Sequence, residues 1–221
     1  MTNTATLIKE KVITTLRRHH VVATAVVFVV VLLLGLALMY SPRLHHKVAE
    51  APTVATSTAP VGPLMAKSLP VRLKIPKIHL DAPFSAPLGL DANKQVEVPT
   101  DYVSVGYYKF GPTPGEPGPA VILGHVDSYK GPAVLFSLGQ IKEGDEIQIE
   151  RADGSVAHFA VTEMTRQPQD EFPTKKVYSD INFAGLRVIT CTGVYDHGSL
   201  RYSHNLVVYA KLVSTSTVEK K

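Results

Sequence analysis

The chain has no tryptophan and one cysteine, Cys191, among 221 residues. A single cysteine excludes an internal disulfide, so a disulfide-stapled scaffold is ruled out. Helical patterning is scarce. Only "AVLFSLGQI" and "DYVSVGYY" offer enough for one or two short helices. No internal repeat is visible, which excludes a solenoid. Net positive charge is also missing from most of the chain. Residues 1–48 carry six Lys/Arg against Glu10, which leaves +5 there and −1 over the rest of a formal net +4. The basic balance therefore belongs to the N-terminal segment. That argues against nucleic-acid binding, which needs a basic patch on the folded domain itself.

One long hydrophobic run is present. Residues 21–40, "VVATAVVFVVVLLLGLALMY", contain no charge. About 20 apolar residues at ~1.5 Å rise match a ~30 Å hydrocarbon core, whereas a cleaved secretory signal usually has an apolar region of only ~7–15 residues. Lys9, Lys11, Arg17 and Arg18 precede the span. The expectation is an uncleaved signal anchor crossing once, with residues 1–20 cytoplasmic and the remainder outside. Residues 41–68 are rich in Ala, Pro, Thr and Ser without sustained periodicity and read as a linker. A domain is expected over 69–213, followed by a polar, frayed tail at 214–221.

Within 69–213 the periodicity is that of strands. "VRLKI" and "DEIQIE" alternate apolar and polar residues. Asp153-Gly154 is a hairpin signal between "DEIQIE" and "SVAHFAVTEM". "PAVILG" and "LRVITC" are short apolar runs suited to strands buried on both faces, and "NLVVYAKLV" reads as a long closing strand. The expected class is all-β, closed or sandwich-like.

Cys191 ends the run "LRVIT" and opens into Gly193. A thiol acts as a nucleophile only as thiolate, so it needs a proton acceptor or a cation close by. The alternative is a small buried hydrophobe. His125 repeats the pattern at the end of "VILG", with Gly124 allowing close approach. Asp127 is placed to orient it or to cap a turn. Arg201, the only arginine after Cys191, could stabilise an oxyanion or form a surface ion pair. His197 and His204 compete as bases on spacing alone. A metal site built from these histidines and Asp127 lacks dense ligand spacing, so no metal and no cofactor are expected. The aromatic run Tyr102, Tyr107, Tyr108, Phe110 reads as packing over the barrel rather than ligand contact.

Together, the anchor, the Pro/Thr linker, the order His–Cys–Arg and the strand ending "VITC" resemble a sortase, the cysteine transpeptidase of bacterial cell surfaces. The strings "GHVDSYKGPAVLFSLGQIKEGDEIQIERADG" and "DEFPTKKVY…LRVITCTG" are similar to class F sortases, common in actinobacteria. The resemblance covers about Val71 to Val213, with "GHVDS" and "TC" 66 residues apart. It implies a closed eight-stranded β-barrel and a Leu-Pro-x-Thr-Gly-like sorting signal as substrate. Cys191 would be the nucleophile, His125 the acid that protonates the leaving amine, and Arg201 the oxyanion stabiliser. Thr190, Asp127 and Ser128 would serve substrate binding, and 163–185 would form the long loop shaping the groove. Implied partners are surface proteins bearing the signal, and a cell-wall precursor or pilin amine as acceptor. The class pattern departs at one point: its arginine stands about where Ser203 is here. Arg201 shares that strand face one pleat further out.

Other cysteine enzymes fit less well. Papain-like hydrolases place Cys before His, and L,D-transpeptidases carry Ser-His-Gly-Cys-x-x-Arg. A non-enzymatic, membrane-tethered β domain binding a surface partner is the remaining alternative.

Overall fold

The fold was analysed in a computed structural model, which describes residues 61–218. The expected anchor at 21–40, the segment before it and the linker up to residue 60 lie outside the described residues. Among the described residues, no helix is long and apolar enough to cross a membrane.

Ten strands form: β1 (Pro70–Ile75), β2 (Leu80–Pro83), β3 (Gly106–Tyr107), β4 (Gly118–Leu123), β5 (Asp127–Ser128), β6 (Gly131–Pro132), β7 (Glu146–Arg151), β8 (Ser155–Pro168), β9 (Ala184–Asp196) and β10 (Arg201–Thr217). Eight of them make one sheet in the order β2-β1-β7-β8-β10-β9-β4-β3, while β5 and β6 form a separate hairpin. The one α-helix among the described residues is the five-residue α1 (Thr174–Tyr178). Of the two stretches expected to be helical, "AVLFSLGQI" supplies a 3-10 turn at Phe136–Gln140 and "DYVSVGYY" contains none.

The sheet has the expected eight strands, but it is not a closed barrel. It curls into a half-barrel whose edge strands β2 and β3 share no ladder. Only isolated bridges, Phe84↔Val105 and Leu88↔Tyr108, join the chain near them. Edge strands of four and two residues are too short to sustain a closing ladder. The connection between β8 and β9 is also shorter than expected. β8 runs to Pro168 and β9 starts at Ala184, leaving 169–183 as the loop. The polar tail is strand up to Thr217, because Thr215, Ser216 and Thr217 pair with Ala157, Val156 and Ser155. Residues 61–68 are held against the domain: Val61 N–H donates to the Asn182 carbonyl (2.8 Å) and Met65 N–H to the Gly115 carbonyl (2.8 Å).

Alternation along the strands builds two apolar layers. The inward row includes Leu73 and Ile75, Ile147 and Ile149, and Leu186 and Val188, all fully buried. Leu135 and Leu138 plug the concave side. The opposite face of β4, β9 and β10 is buried as well: Val121, Ile189, Val207 and Tyr209 pack under Val177 of α1. That is why "PAVILG" and "LRVITC" read as continuous apolar runs. Asp153-Gly154 turns β7 into β8 with Gly154 at φ +79°, as the hairpin signal required.

Candidate active site

β4 and β9 are the only parallel neighbours in the sheet. Their register pairs Leu123 with Ile189, and the Gly124 N–H donates to the Ile189 carbonyl (3.3 Å). Two residues beyond that pair, His125 follows the end of β4, whereas Cys191 stays within β9, which continues to Asp196, so the strand end expected at Cys191 does not occur. Thr190 fastens β9 to the chain leaving β4: it is buried and its hydroxyl donates to the Gly124 carbonyl (2.8 Å). A side chain on Gly124 would come within 2.9–3.0 Å of Leu135 and Val134, so the chain passes here only as glycine.

Antiparallel pairing sets Asn205 of β10 opposite Cys191. Arg201, Ser203 and Asn205 follow at period two. All three border, with Cys191, His125 and Thr190, a cavity of about 990 Å³. Arg201 is exposed at the first residue of β10. Ser203 is engaged otherwise: its hydroxyl accepts from the Val194 N–H (3.0 Å) and lies 2.7 Å from His204 Nδ1. The β9–β10 register shifts here, and Gly193 sits at φ +88° in the bulge. His204 and His197 do not line the cavity; His197 packs edge-on against Tyr195.

His125 is oriented from one side. Its Nε2 lies 2.8 Å from the Pro99 carbonyl, which can only accept, so Nε2 carries the proton and Nδ1 is the free acceptor. Its ring packs on Tyr102 at 4.8 Å between centroids. Asp101 pins this segment by accepting from the N–H groups of Val103 (2.9 Å) and Ser104 (2.7 Å) and from the Ser104 hydroxyl (2.6 Å). The Ser104 hydroxyl and these N–H groups hold the Asp101 carboxyl below its usual range.

Cys191 is half-buried. Burial pushes its thiol above the usual value, and the Asp127 carboxylate adds to the effect. Both effects favour the thiol over the thiolate. Asp127 accepts a hydrogen bond from the Tyr202 hydroxyl. That bond, and then burial, pushes Tyr202 up to about 12. Ser128 holds the β5–β6 turn, accepting from the Lys130 N–H (3.1 Å) and donating to the Gly131 carbonyl (3.2 Å). Neither Asp127 nor Ser128 lines the cavity.

Two contributions, from Pro99 and Gln169, lay outside the residues singled out from sequence, and a third, from Tyr108, differs from its expected role. Pro99 holds His125. Gln169 points its amide at Cys191, with Nε2 3.9 Å from Sγ. Tyr108 lines the cavity with Phe172 and Tyr178, contrary to its expected role as packing alone. Burial, and then the neighbouring Tyr108, pushes the Tyr178 phenol up to about 12, so it stays neutral. The readable signal for the His125 clamp was "PTDYVS", where Asp101 precedes Ser104 at the spacing of a capped turn. No local signal marks Gln169.

The arrangement suits acyl transfer: a nucleophile, an imidazole beside it, a cation at the cavity mouth and an apolar wall for an extended peptide. A family model described as "Sortase domain" matches residues 73–213. No curated protein sequence matches the chain. Solved structures share the fold. A lid mutant of sortase A from Corynebacterium diphtheriae is 23% identical, with 68% of this chain and 73% of that chain covered at a TM-score of 0.52. Sortase C-1 from Actinomyces oris is 24% identical, covering 66% and 75% at 0.51. Sortase A from Listeria monocytogenes is 15% identical, covering 70% and 93% at 0.51.

Proposed function

The chain belongs to the sortase family of cysteine transpeptidases, and from that premise we propose that it cleaves a Leu-Pro-x-Thr-Gly-like sorting signal and transfers the protein to a cell-surface amine. The observation that carries this reading is the parallel β4–β9 register, which brings Cys191 of β9 and His125, just beyond β4, to one cavity. A binding domain has no need of a thiol and an imidazole at the same rim.

In the proposed reaction Cys191 Sγ attacks the Thr carbonyl carbon as its proton passes to the His125 imidazole. The carbonyl electron pair moves onto oxygen, where Arg201 stabilises the negative charge. Collapse breaks the C–N bond, and the His125 proton goes to the leaving Gly amine. An acceptor amine then attacks the thioester and releases Cys191. Thr190 serves by holding β9 to the chain that leaves β4 toward His125. Asp127 and Ser128 act from the β5–β6 hairpin, Asp127 through Tyr202. The strings around "GHVDS" and "VITC" support a class F assignment. The 20-residue uncharged run at 21–40 supports a single-pass anchor with the catalytic domain extracytoplasmic. The acceptor is a cell-wall precursor or a pilin lysine.

Mass spectrometry tests the reading. Incubation with a peptide library varied around Leu-Pro-x-Thr-Gly should leave an acyl mass on Cys191 that nucleophilic amines remove. Absence of both adduct and cleavage over the whole library would overturn it. Removing residues 1–40 should shift the protein from the membrane to the soluble fraction.

A further inference from the structure

Gln167, Asn205 and Cys191 stand in one row across β8, β10 and β9. The β8 ladder stops one residue later, at Pro168, paired with His204. Gln169 opens the 3-10 turn Gln169–Glu171, so it is the first residue of this connection free to turn over the rim. It does so and lines the cavity. Its amide nitrogen is the one hydrogen-bond donor to Sγ among the described residues, at 3.9 Å. That separation is long for a contact serving the sulfur alone. It leaves room for the oxygen of a carbonyl carbon bonded to Sγ. An oxyanion donor belongs about 2.7–3.1 Å from the developing oxygen rather than close to the nucleophile.

Arg201 acts on that oxygen from further out. It is exposed at the start of β10, four residues before Asn205, and makes no hydrogen bond to Sγ among the described residues. Ser203, one pleat closer, spends its hydroxyl on the Val194 N–H. The nucleophile thus has a neutral amide at its side and its cation further out.

We propose that Gln169 is a catalytic residue, donating an amide N–H to the oxyanion formed when Cys191 attacks the acyl carbonyl. This deepens the proposed transpeptidation and rests on it for the natural substrate. In the step concerned, the Sγ–C bond forms, the thiol proton passes to His125, and the C=O π pair becomes an oxyanion lone pair that accepts the Gln169 N–H. The pair returns when the C–N bond breaks. Gln169 itself gains and loses no proton.

The test uses the full chain as wild type, Gln169→Ala and Gln169→Met, the second keeping side-chain length without a donor. Two acyl donors are compared: a sorting-signal peptide and the small activated ester p-nitrophenyl acetate. A methanethiosulfonate reagent then labels Cys191 by thiol exchange, which forms no oxyanion. Acylation by both donors should fall ~10²–10³-fold in kcat, while KM and the labelling rate stay within about threefold of wild type. A kcat within about threefold of wild type overturns the proposal. So does a parallel fall in labelling, which would put the amide's role on the thiol, or a rise in KM alone, which would put it in binding. If wild type cleaves no peptide yet the ester acylates Cys191 in a Gln169-dependent way, the substrate assignment fails and the role of Gln169 stands.

Discussion

The outer face of β4, β9 and β10 has two ends built from the same alternation. At the covered end Arg187, Tyr209 and Glu163 stand in one row across β9, β10 and β8. Val177 of α1 seals the neighbouring apolar residues. Arg187 and Lys176 lie over the Tyr209 ring at 4.9 and 4.7 Å, and Lys176 pairs with Glu163 at 2.5 Å. At the other end, two pleats along, Cys191 and Asn205 face a cavity. The strands do not distinguish the ends; the cover does. A five-residue helix lies over one, whereas a 3-10 turn and the segment around 94–98 stand back from the other. What differs along this face is thus where the cover stops.

The sharpest break between the ends is at the nucleophile. Cys191→Ala should abolish peptide cleavage, by about 10⁴-fold or more, and leave the thermal midpoint within a few degrees. Residual cleavage above that level would mean another residue attacks. Next in size is the fastening between β9 and the chain leaving β4. Thr190→Val keeps the shape and removes the donor to the Gly124 carbonyl. Leaving that buried carbonyl unpaired should cost about 1–3 kcal/mol in urea unfolding. It should also lower kcat by up to ~10²-fold as His125 shifts relative to Cys191. A full loss of stability with unchanged kcat would show that Cys191 and His125 hold their geometry without it.

How much of this contrast could be read from sequence depends on the range of the contact involved. The alternation in "VRLKI" and "DEIQIE", the Asp153-Gly154 turn and the doubly buried runs are local, and each became the element expected. The expected strand end held for His125 alone, since β9 continues past Cys191 to Asp196, although the apolar run leading to each residue was legible. Their meeting was not, because parallel pairing across 66 residues of chain leaves no trace in either run. Closure of the barrel depends on edge length and register, which no periodicity encodes, and the expected closed form gave way to an open sheet. Pro99 and Gln169 reach the site from irregular segments whose own sequence carries no periodic signal.

A smaller effect is expected at the thiol's electrostatics. The Asp127 carboxylate disfavours the Cys191 thiolate, on top of burial. Asp127→Asn removes the charge and keeps an acceptor for the Tyr202 hydroxyl. With less negative charge nearby the thiol pKa falls. At any pH below that pKa the thiolate fraction rises, and methanethiosulfonate labelling should quicken several-fold as its pH midpoint moves down. An upward shift, or none, would mean that Asp127 acts on Cys191 only through the Tyr202 bond.

The smallest expected effect is at the covered end, where its sign is the informative part. Arg187 is 5% exposed, its Nε has no partner, and its Nη1 donates only to the Leu186 carbonyl, at 3.1 Å. Burial pushes the guanidinium below its ordinary pKa, with Tyr209 and Glu163 opposing. A buried charge lacking a direct carboxylate partner costs desolvation that its stacking on Tyr209 offsets by ~2 kcal/mol or less. A well-packed apolar replacement at such a site is often neutral or stabilising by ~1–4 kcal/mol. Arg187→Met should therefore leave the urea midpoint unchanged or raise it, with peptide cleavage kept, because the residue lies outside the cavity. Marked destabilisation would show that the Arg187–Tyr209 stack holds down the cover itself. The two ends would then differ in what anchors the lid as well as in where it stops.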